Sequence, residues 1–164
     1  YGMTPVHAGY FTAACVFAGS LVRPMGGALA DRIGGIRTLL VVYSLAGVFL
    51  IIVSFGANNA WLALAGFMLA MGTPGFGNGA VFQLVPQRFR KEIGVMTGLV
   101  GMAGGVGGFY LAASLGYIKG QTGSYQLGLL IFAGLSFVAL VGLTVVKQRW
   151  RTTWGAAAIA GAKV

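Results

Sequence analysis

Long stretches without any charged side chain are the feature that most limits what this chain can fold into. Lys, Arg, Asp and Glu are absent from residues 1–22, 38–87, 93–118 and 120–146. A helix that crosses the hydrocarbon core of a bilayer needs about 20 predominantly apolar residues. Charged residues make up only 8% of the chain, against roughly a quarter in soluble domains. We therefore expect an integral membrane protein and not a soluble domain.

The uncharged run 38–87 is long enough for two crossings, and the sequence Gly-Ala-Asn-Asn at 56–59 predicts a tight turn near its middle. Backbone groups in hydrocarbon must be paired within their own segment, so spans of this length are expected to be helices and not barrel strands. The predicted fold class is an all-α membrane protein with five transmembrane helices. We place the helices at about 8–30, 37–56, 60–86, 92–117 and 124–146, followed by a short cytoplasmic tail at 147–164.

The net charge of +9 is concentrated at one side of this predicted topology. Five crossings bring three basic groups to the same side: Arg32 and Arg37, then Arg88, Arg90 and Lys91, then Lys147, Arg149, Arg151 and Lys163. The other side holds only Lys119 and, near the N-terminus, His7. The positive-inside rule makes the basic side cytoplasmic, with the N-terminus outside. The charge thus reflects topology, with contact to anionic lipid headgroups, and does not predict a nucleic-acid partner.

The residues needed for enzymatic or cofactor chemistry are missing. Cys15 is the single cysteine, and Asp31 and Glu92 are the two acidic residues, so no disulfide, metal cluster or nucleophile with its base is expected. We predict neither an enzyme nor a cofactor. An odd number of spans and an external N-terminus without Met predict that the sequence is part of a longer protein.

Arg23 carries a charge inside the first predicted span. It precedes Asp31, placed at the membrane rim, by eight residues, which puts it about 12 Å into a core about 30 Å thick. No acidic residue of this chain lies at that depth. The side chain could snorkel to the rim or pair with an acid outside this sequence. Alternatively its counter-ion is an anionic substrate, because a planar guanidinium can donate two hydrogen bonds to a planar oxyanion.

A glycine-rich stretch in the fourth span shares this predicted depth. Gly98, Gly101, Gly105 and Gly108 fall on one helical face, and Gly104 lies about 18 Å from the basic rim. Asn78, in the third span, lies about 12 Å from the same rim. Arginine, an amide and exposed glycine backbone at one depth would suit a small anion. The predicted substrate-binding residues are Arg23, Asn78, Gly101, Gly104, Gly105 and Gly108; simple helix packing is the alternative for the glycines.

The loop after the first span is a compact turn with a specific pattern. Its residues Gly27, Leu29, Asp31, Arg32, Gly34 and Arg37 resemble the G-x-L-a-D-r-x-G-r-r loop of the major facilitator superfamily, with Gly35 where a basic residue is often found. We predict a gating and structural role for Gly27, Asp31, Arg32, Gly34 and Arg37. Asp31 is expected to contact the N-terminal end of the fourth span, near 92–95.

Together these features resemble the nitrate/nitrite porter family of that superfamily. Arg23 with the following loop is similar to its second-half arginine, the segment 77–82 to its tenth helix, and the glycines of 98–108 to its nitrate signature in helix eleven. The resemblance covers about 8–146 as helices eight to twelve. It implies that a missing N-terminal half completes the site.

The resulting functional hypothesis is a fragment of an alternating-access carrier for nitrate or nitrite, in a bacterial inner membrane. The alternatives are a carrier for another small anion, such as a small carboxylate, and a truncated membrane protein that does not transport. No carboxylate or histidine lies near the predicted midplane, which favours nitrate/nitrite exchange over proton symport and leaves both open.

Overall fold

The computed structural model describes residue 2 and residues 4–56 and 59–153, without the side chains of Arg88 and of residues 149–153. These residues form six α-helices and no strands. The helices are α1 (Pro5–Leu21), α2 (Arg23–Ile33), α3 (Gly35–Ser54), α4 (Ala60–Arg88), α5 (Ile93–Thr122) and α6 (Gln126–Thr153). The predicted all-α fold is confirmed.

Five spans are long and apolar enough to cross a membrane, as the sequence predicts. The first span, Pro5–Ile33, contains both α1 and α2. The helix is interrupted at Val22, and Pro24 lies in the first turn of α2, where its missing N–H removes no hydrogen bond. Arg23 therefore begins a new helical segment inside the span.

The predicted turn at 56–59 falls partly outside the described residues, which omit 57 and 58. On its near side Gly56 has φ +77, and on its far side the Asn59 side chain accepts a hydrogen bond from the Trp61 N–H at 2.9 Å.

The largest difference between a predicted and an observed helix boundary is at the C-terminal end of the chain. Helix α6 continues to Thr153, past the predicted boundary at 146, because charged Lys and Arg end an apolar span without ending a helix. Residues 154–164 lie outside the described part.

The first span runs parallel to α4. Residue numbers rise together along the two elements in three contacts: Gly19 with Met71, Gly27 with Gly79, and Asp31 with Gln83. Helix α3 runs the opposite way against α4, pairing Gly35 with Leu84, Val42 with Gly77, and Val53 with Gly66. The connection from α2 to α3 therefore lies at the same end of the bundle as the C-terminal end of α4.

Helices α5 and α6 continue this alternation. Gly123, with φ +73, closes the C-terminal end of α5, and Gly128 of α6 packs back on Leu115 and Ile118. Helix α6 is antiparallel to α3, since Phe137 contacts Gly47 and Leu143 packs on the cluster that contains Leu39. The basic segments after α2, between α4 and α5, and along the end of α6 thus share one end of the bundle, as the charge pattern predicts.

The first span and α4 approach each other so closely that glycine is required at the contact. A Cβ at Gly26 would collide with the carbonyl oxygen of Phe76, and one at Gly79 with that of Arg23. Farther from the basic end, a Cβ at Gly75 would meet the carbonyl oxygen of Gly19. Small residues at such crossings let backbones pack directly, which is how helices associate without a hydrophobic driving force. The first span and α4 are therefore locked in register.

Helix α5 stands apart from this packed unit. None of its residues is buried, and within the described chain it contacts only α4 and α6. The core lies elsewhere, around Ala30, Leu39 and Ala80, which are at most 6% exposed. The loosely attached α5 forms one side of the cavity described next.

Candidate functional site

A cavity of about 570 Å³ opens between α2, α3, α4 and α5. Four groups of residues line it: Arg23 from α2, then Leu39, Val42 and Tyr43 from α3, then Pro74, Gly77, Asn78, Val81 and Phe82 from α4, and Val100, Gly101, Gly104 and Gly105 from α5. The wall is mostly apolar with a few polar groups. The volume of the cavity falls in the range of about 300–1,000 Å³ that is typical of small-ligand sites.

Arg23 supplies the positive charge of this cavity. Its backbone carbonyl lies against Gly79, next to Asn78, so the equal depth predicted for Arg23 and Asn78 corresponds to direct packing of their helices. The guanidinium forms no ion pair with any side chain that the structure describes. Asp31 is two helical turns away along α2, about 12 Å by the helical rise, and Glu92 lies beyond α4 at the start of α5.

Asn78 is half-buried in the middle of α4. Its amide makes no hydrogen bond within the described ranges, so it can still donate and accept. Tyr43 of α3 also lines the cavity, is half-buried, and has no hydrogen bond to a described residue. The sequence analysis missed Tyr43. Its signal was a phenol within the otherwise apolar segment 39–43, but only tertiary packing shows that α3 reaches the cavity.

The glycines of α5 have open space where a side chain would stand. At Gly98, Gly101, Gly104, Gly105, Gly107 and Gly108, an added Cβ would meet nothing within 4 Å. Gly101, Gly104 and Gly105 line the cavity and leave backbone exposed there. Within the described chain, no helix packs on these glycines, so their spacing does not serve helix packing inside this segment.

Gly108 differs from its predicted placement. It lies on the same helical face as Gly101 and Gly105 but is not among the cavity-lining residues. The residue is one turn beyond Gly105, about 4.5 Å along the axis, and the glycine face extends past the end of the cavity. The part of Gly108 in anion binding stays a prediction, because the cavity is bounded here by the helices of this segment alone.

The residues of the predicted loop are helical except for Gly34: Gly27, Asp31 and Arg32 lie in α2, and Arg37 lies in α3. None of them lines the cavity. Gly34 ends α2 with φ +97, a backbone conformation that residues with a Cβ rarely adopt. Gly27 packs near Gly79: a Cβ added at Gly27 would lie 3.6 Å from the carbonyl oxygen of Gly79. Arg32 and Arg37 are exposed, and neither forms an ion pair with a described side chain.

Asp31 has a different partner from the one predicted. Its carboxylate Oδ1 accepts a hydrogen bond from Nε2 of Gln83, in α4, at 2.9 Å. The expected contact with the N-terminal end of α5 is absent, since α2 and α5 do not touch in the described structure. The reason is that the glycine contacts hold the first span against α4, which brings Gln83 to Asp31 first. Sequence reasoning missed Gln83, a polar residue in an apolar span five positions after Asn78.

The fold and the cavity define a polytopic α-helical membrane protein with a cationic pocket between its helices. The sequence profile of the Major Facilitator Superfamily matches residues 1–160. The chain belongs to the Major Facilitator Superfamily, and its helices and relatives identify it as an integral membrane protein.

Similar curated proteins are named as transport proteins of nitrate or nitrite. The chain is 36% identical over 146 residues to the "Nitrite extrusion protein" of Bacillus subtilis (strain 168), covering 89% of this chain and 36% of the relative. It is 34% identical over 152 residues to the "Probable nitrate transporter NarT" of Staphylococcus carnosus (strain TM300), covering 93% and 39%. These matches confirm the family resemblance seen in the sequence. No solved structure was found to match.

The chain spans well under half the length of these curated relatives. The covered share of the relatives is 36% to 39%. The activity of a whole carrier therefore belongs to the proposal that follows.

Proposed function

We propose that this chain is part of a secondary transporter that moves nitrate or nitrite across the membrane by alternating access, and not an enzyme. The observation that carries the proposal is Arg23, a guanidinium without a described acidic partner that lines a cavity together with the free amide of Asn78. A charge in a membrane span needs a partner. A small oxyanion supplies one, and the names of the relatives agree with that substrate.

The site chemistry fits an oxyanion with several equivalent acceptors. Arg23 donates two parallel hydrogen bonds to two oxygens, and the Asn78 amide donates to another. The open backbone at Gly101, Gly104 and Gly105 lets the ion approach α5 without a side chain in between. Gly108, one turn farther along the same face of α5, remains in the proposed binding set. Neither a metal nor an organic cofactor is required for binding or release of such an ion.

The cavity also predicts a partner for this segment. Its volume of about 570 Å³ is many times the roughly 30 Å³ of one water molecule, and α5 is exposed along its length. A three-oxygen ion cannot fill this space. We assign the remaining wall to an N-terminal half of the same transporter, which would contribute further ligands and rock against this half. Lipid covers the outer faces.

Orientation follows from the shared basic end of the bundle. Lys and Arg concentrate on the cytoplasmic side of membrane proteins, so that end faces the cytoplasm of a bacterial inner membrane. The N-terminus of this segment then lies outside and its C-terminus inside. Anionic lipid headgroups, and not nucleic acid, neutralise the excess positive charge.

Transport by the intact protein tests this function. Proteoliposomes that contain it should take up nitrate or nitrite, and internal nitrate or nitrite should accelerate uptake if the carrier is an exchanger. A carrier for another small anion, such as a small carboxylate, would show uptake of that anion without competition by nitrate. A membrane protein that only packs with others would show no uptake of any of these anions, and either result would contradict the proposal.

A further inference from the structure

We propose that Gln83 is a positioning residue for Asp31, and that their amide–carboxylate pair ties the C-terminal end of α2 to α4, the helix that carries Asn78. This role rests on the proposed transport function. The hydrogen bond joins residues 52 positions apart in sequence, with Nε2 of Gln83 2.9 Å from Oδ1 of Asp31. Among the described side chains, it is the hydrogen bond that joins the first span to α4 at the basic end of the bundle.

The orientation of the Gln83 amide is defined by its neighbours. Rotating the amide by half a turn would place Oε1 against the carboxylate, and two acceptors repel. With Nε2 toward Asp31, Oε1 is buried and accepts no hydrogen bond from the described residues. The amide is therefore held by one strong bond to a charged acceptor.

Gly35 explains how the Gln83 side chain fits into this corner. An ideal Cβ at Gly35 would lie 2.9 Å from Oε1 of Gln83 and 2.6 Å from Cδ2 of Leu84. Position 35 is also where this chain departs from the loop motif, which often has a basic residue there. The missing side chain leaves room for the Gln83 head group between the end of α2 and the start of α3.

No basic side chain that the structure describes competes with Gln83 for Asp31. Arg32 and Arg37 flank the carboxylate in sequence but form no ion pair with it. A neutral amide gives a directional bond without neutralising the charge of Asp31. The bond thus fixes the position of the carboxylate relative to α4.

The Asp31–Gln83 hydrogen bond adds to the backbone contacts between the first span and α4, the two elements that carry Arg23 and Asn78. From Gln83, Asn78 is about 7.5 Å back along α4, and from Asp31, Arg23 is about 12 Å back along α2. At the level of the cavity the two backbones touch twice, where Gly26 meets the carbonyl oxygen of Phe76 and where Gly79 meets that of Arg23. The pair at the basic end therefore makes the first span and α4 move as one unit, with Arg23 and Asn78 in fixed register.

Reversing the pair tests this role in the intact transporter. Gln83→Leu removes the donor, Asp31→Asn removes the charged acceptor, and Gln83→Glu opposes two carboxylates. We expect each to lower nitrate turnover by about tenfold, the factor that a hydrogen bond to a charged group contributes. Nitrate affinity should stay within about twofold, because the pair does not contact the ion. The double variant Asp31→Asn with Gln83→Glu restores an amide opposite a carboxylate and should recover most of the turnover.

Gln87 provides the matched control. It is half-buried one helical turn further along α4 and has no interaction with a described residue. Gln87→Glu adds the same charge and should leave turnover unchanged, and it should not rescue Asp31→Asn. In a protein that transports, failure of the double variant Asp31→Asn with Gln83→Glu to recover turnover would overturn the proposal, as would single variants that lower the melting temperature and leave turnover unchanged.

The melting temperatures of the same variants separate this inference from the transport function. Recovery of the melting temperature in the double variant, in a protein that moves neither nitrate nor nitrite, would support the tie and contradict the transport function. Absence of that recovery in a protein that does transport would contradict the tie alone.

Discussion

The backbone carbonyl of Arg23 lies against the Cα of Gly79, closer than any side chain at position 79 would allow. This contact places the first residue of α2 beside the Asn78–Gly79 peptide of α4. It has an energetic consequence, because overpacking a tight contact typically costs about 1–3 kcal/mol.

Gly79→Ala is predicted to destabilise the protein through this contact. The methyl group must displace a carbonyl of the α2 backbone, which cannot rotate away as a flexible side chain can. The melting temperature of the purified transporter should fall clearly. Gly72→Ala is the control on the same helix, since an added Cβ there meets nothing within 4 Å. Equal melting temperatures for the two variants would contradict the packing described here.

Gly105→Ala is predicted to behave in the opposite way. Position 105 has open space next to it and lines the cavity, so the methyl group should intrude on the ion and not on a helix. We expect a folded protein with an unchanged melting temperature and weaker nitrate binding. Both quantities can be measured on one preparation, with Gly98→Ala as an open position outside the cavity. Normal affinity combined with clear destabilisation would instead indicate a packing role.

Asn78→Asp is predicted to abolish anion binding more completely than Asn78→Leu. The leucine variant loses one hydrogen bond to a charged ligand, about tenfold in affinity. The aspartate variant places a negative charge in the cavity that Arg23 lines, where it both pairs with the guanidinium and repels the ion. Asn59→Asp makes the same change at the N-cap of α4, where Asp caps equally well, and should bind nitrate normally. Isothermal titration with nitrate distinguishes these outcomes, and an aspartate variant that binds as well as the leucine variant would contradict the electrostatic argument.

The alternating directions of the helices and the shared depth of Arg23 and Asn78 were predictable from the sequence. Both follow from quantities that act along the chain: the length of an apolar run, the rise per residue, and the side on which Lys and Arg accumulate. The interruption of the first span beside Pro24 also had a local signal. The sequence holds no such signal for which side chains contact each other across two helices. The partner of Asp31 was predicted wrongly for that reason.

The glycines show most clearly where sequence reasoning ends. The dense stripe of α5 resembles a packing motif, yet it is open within this segment, while the scattered Gly26, Gly75 and Gly79 make the tightest contacts. Spacing along one helix does not reveal whether a second helix, a ligand or another part of the protein lies opposite. Tyr43 and Gln83 were missed for the same reason, because their roles depend on which helices pack together.

Substitution of Arg23 by lysine tests the central claim most directly. Lysine keeps the charge but presents an ammonium that cannot donate the paired, coplanar hydrogen bonds of a guanidinium. The intact transporter with Arg23→Lys should remain folded and lose nitrate binding by at least about tenfold, since each lost charge-assisted hydrogen bond contributes about that factor. Nitrate affinity equal to that of the unmodified protein, measured at equilibrium, would contradict the assignment of Arg23 as the anion-binding residue.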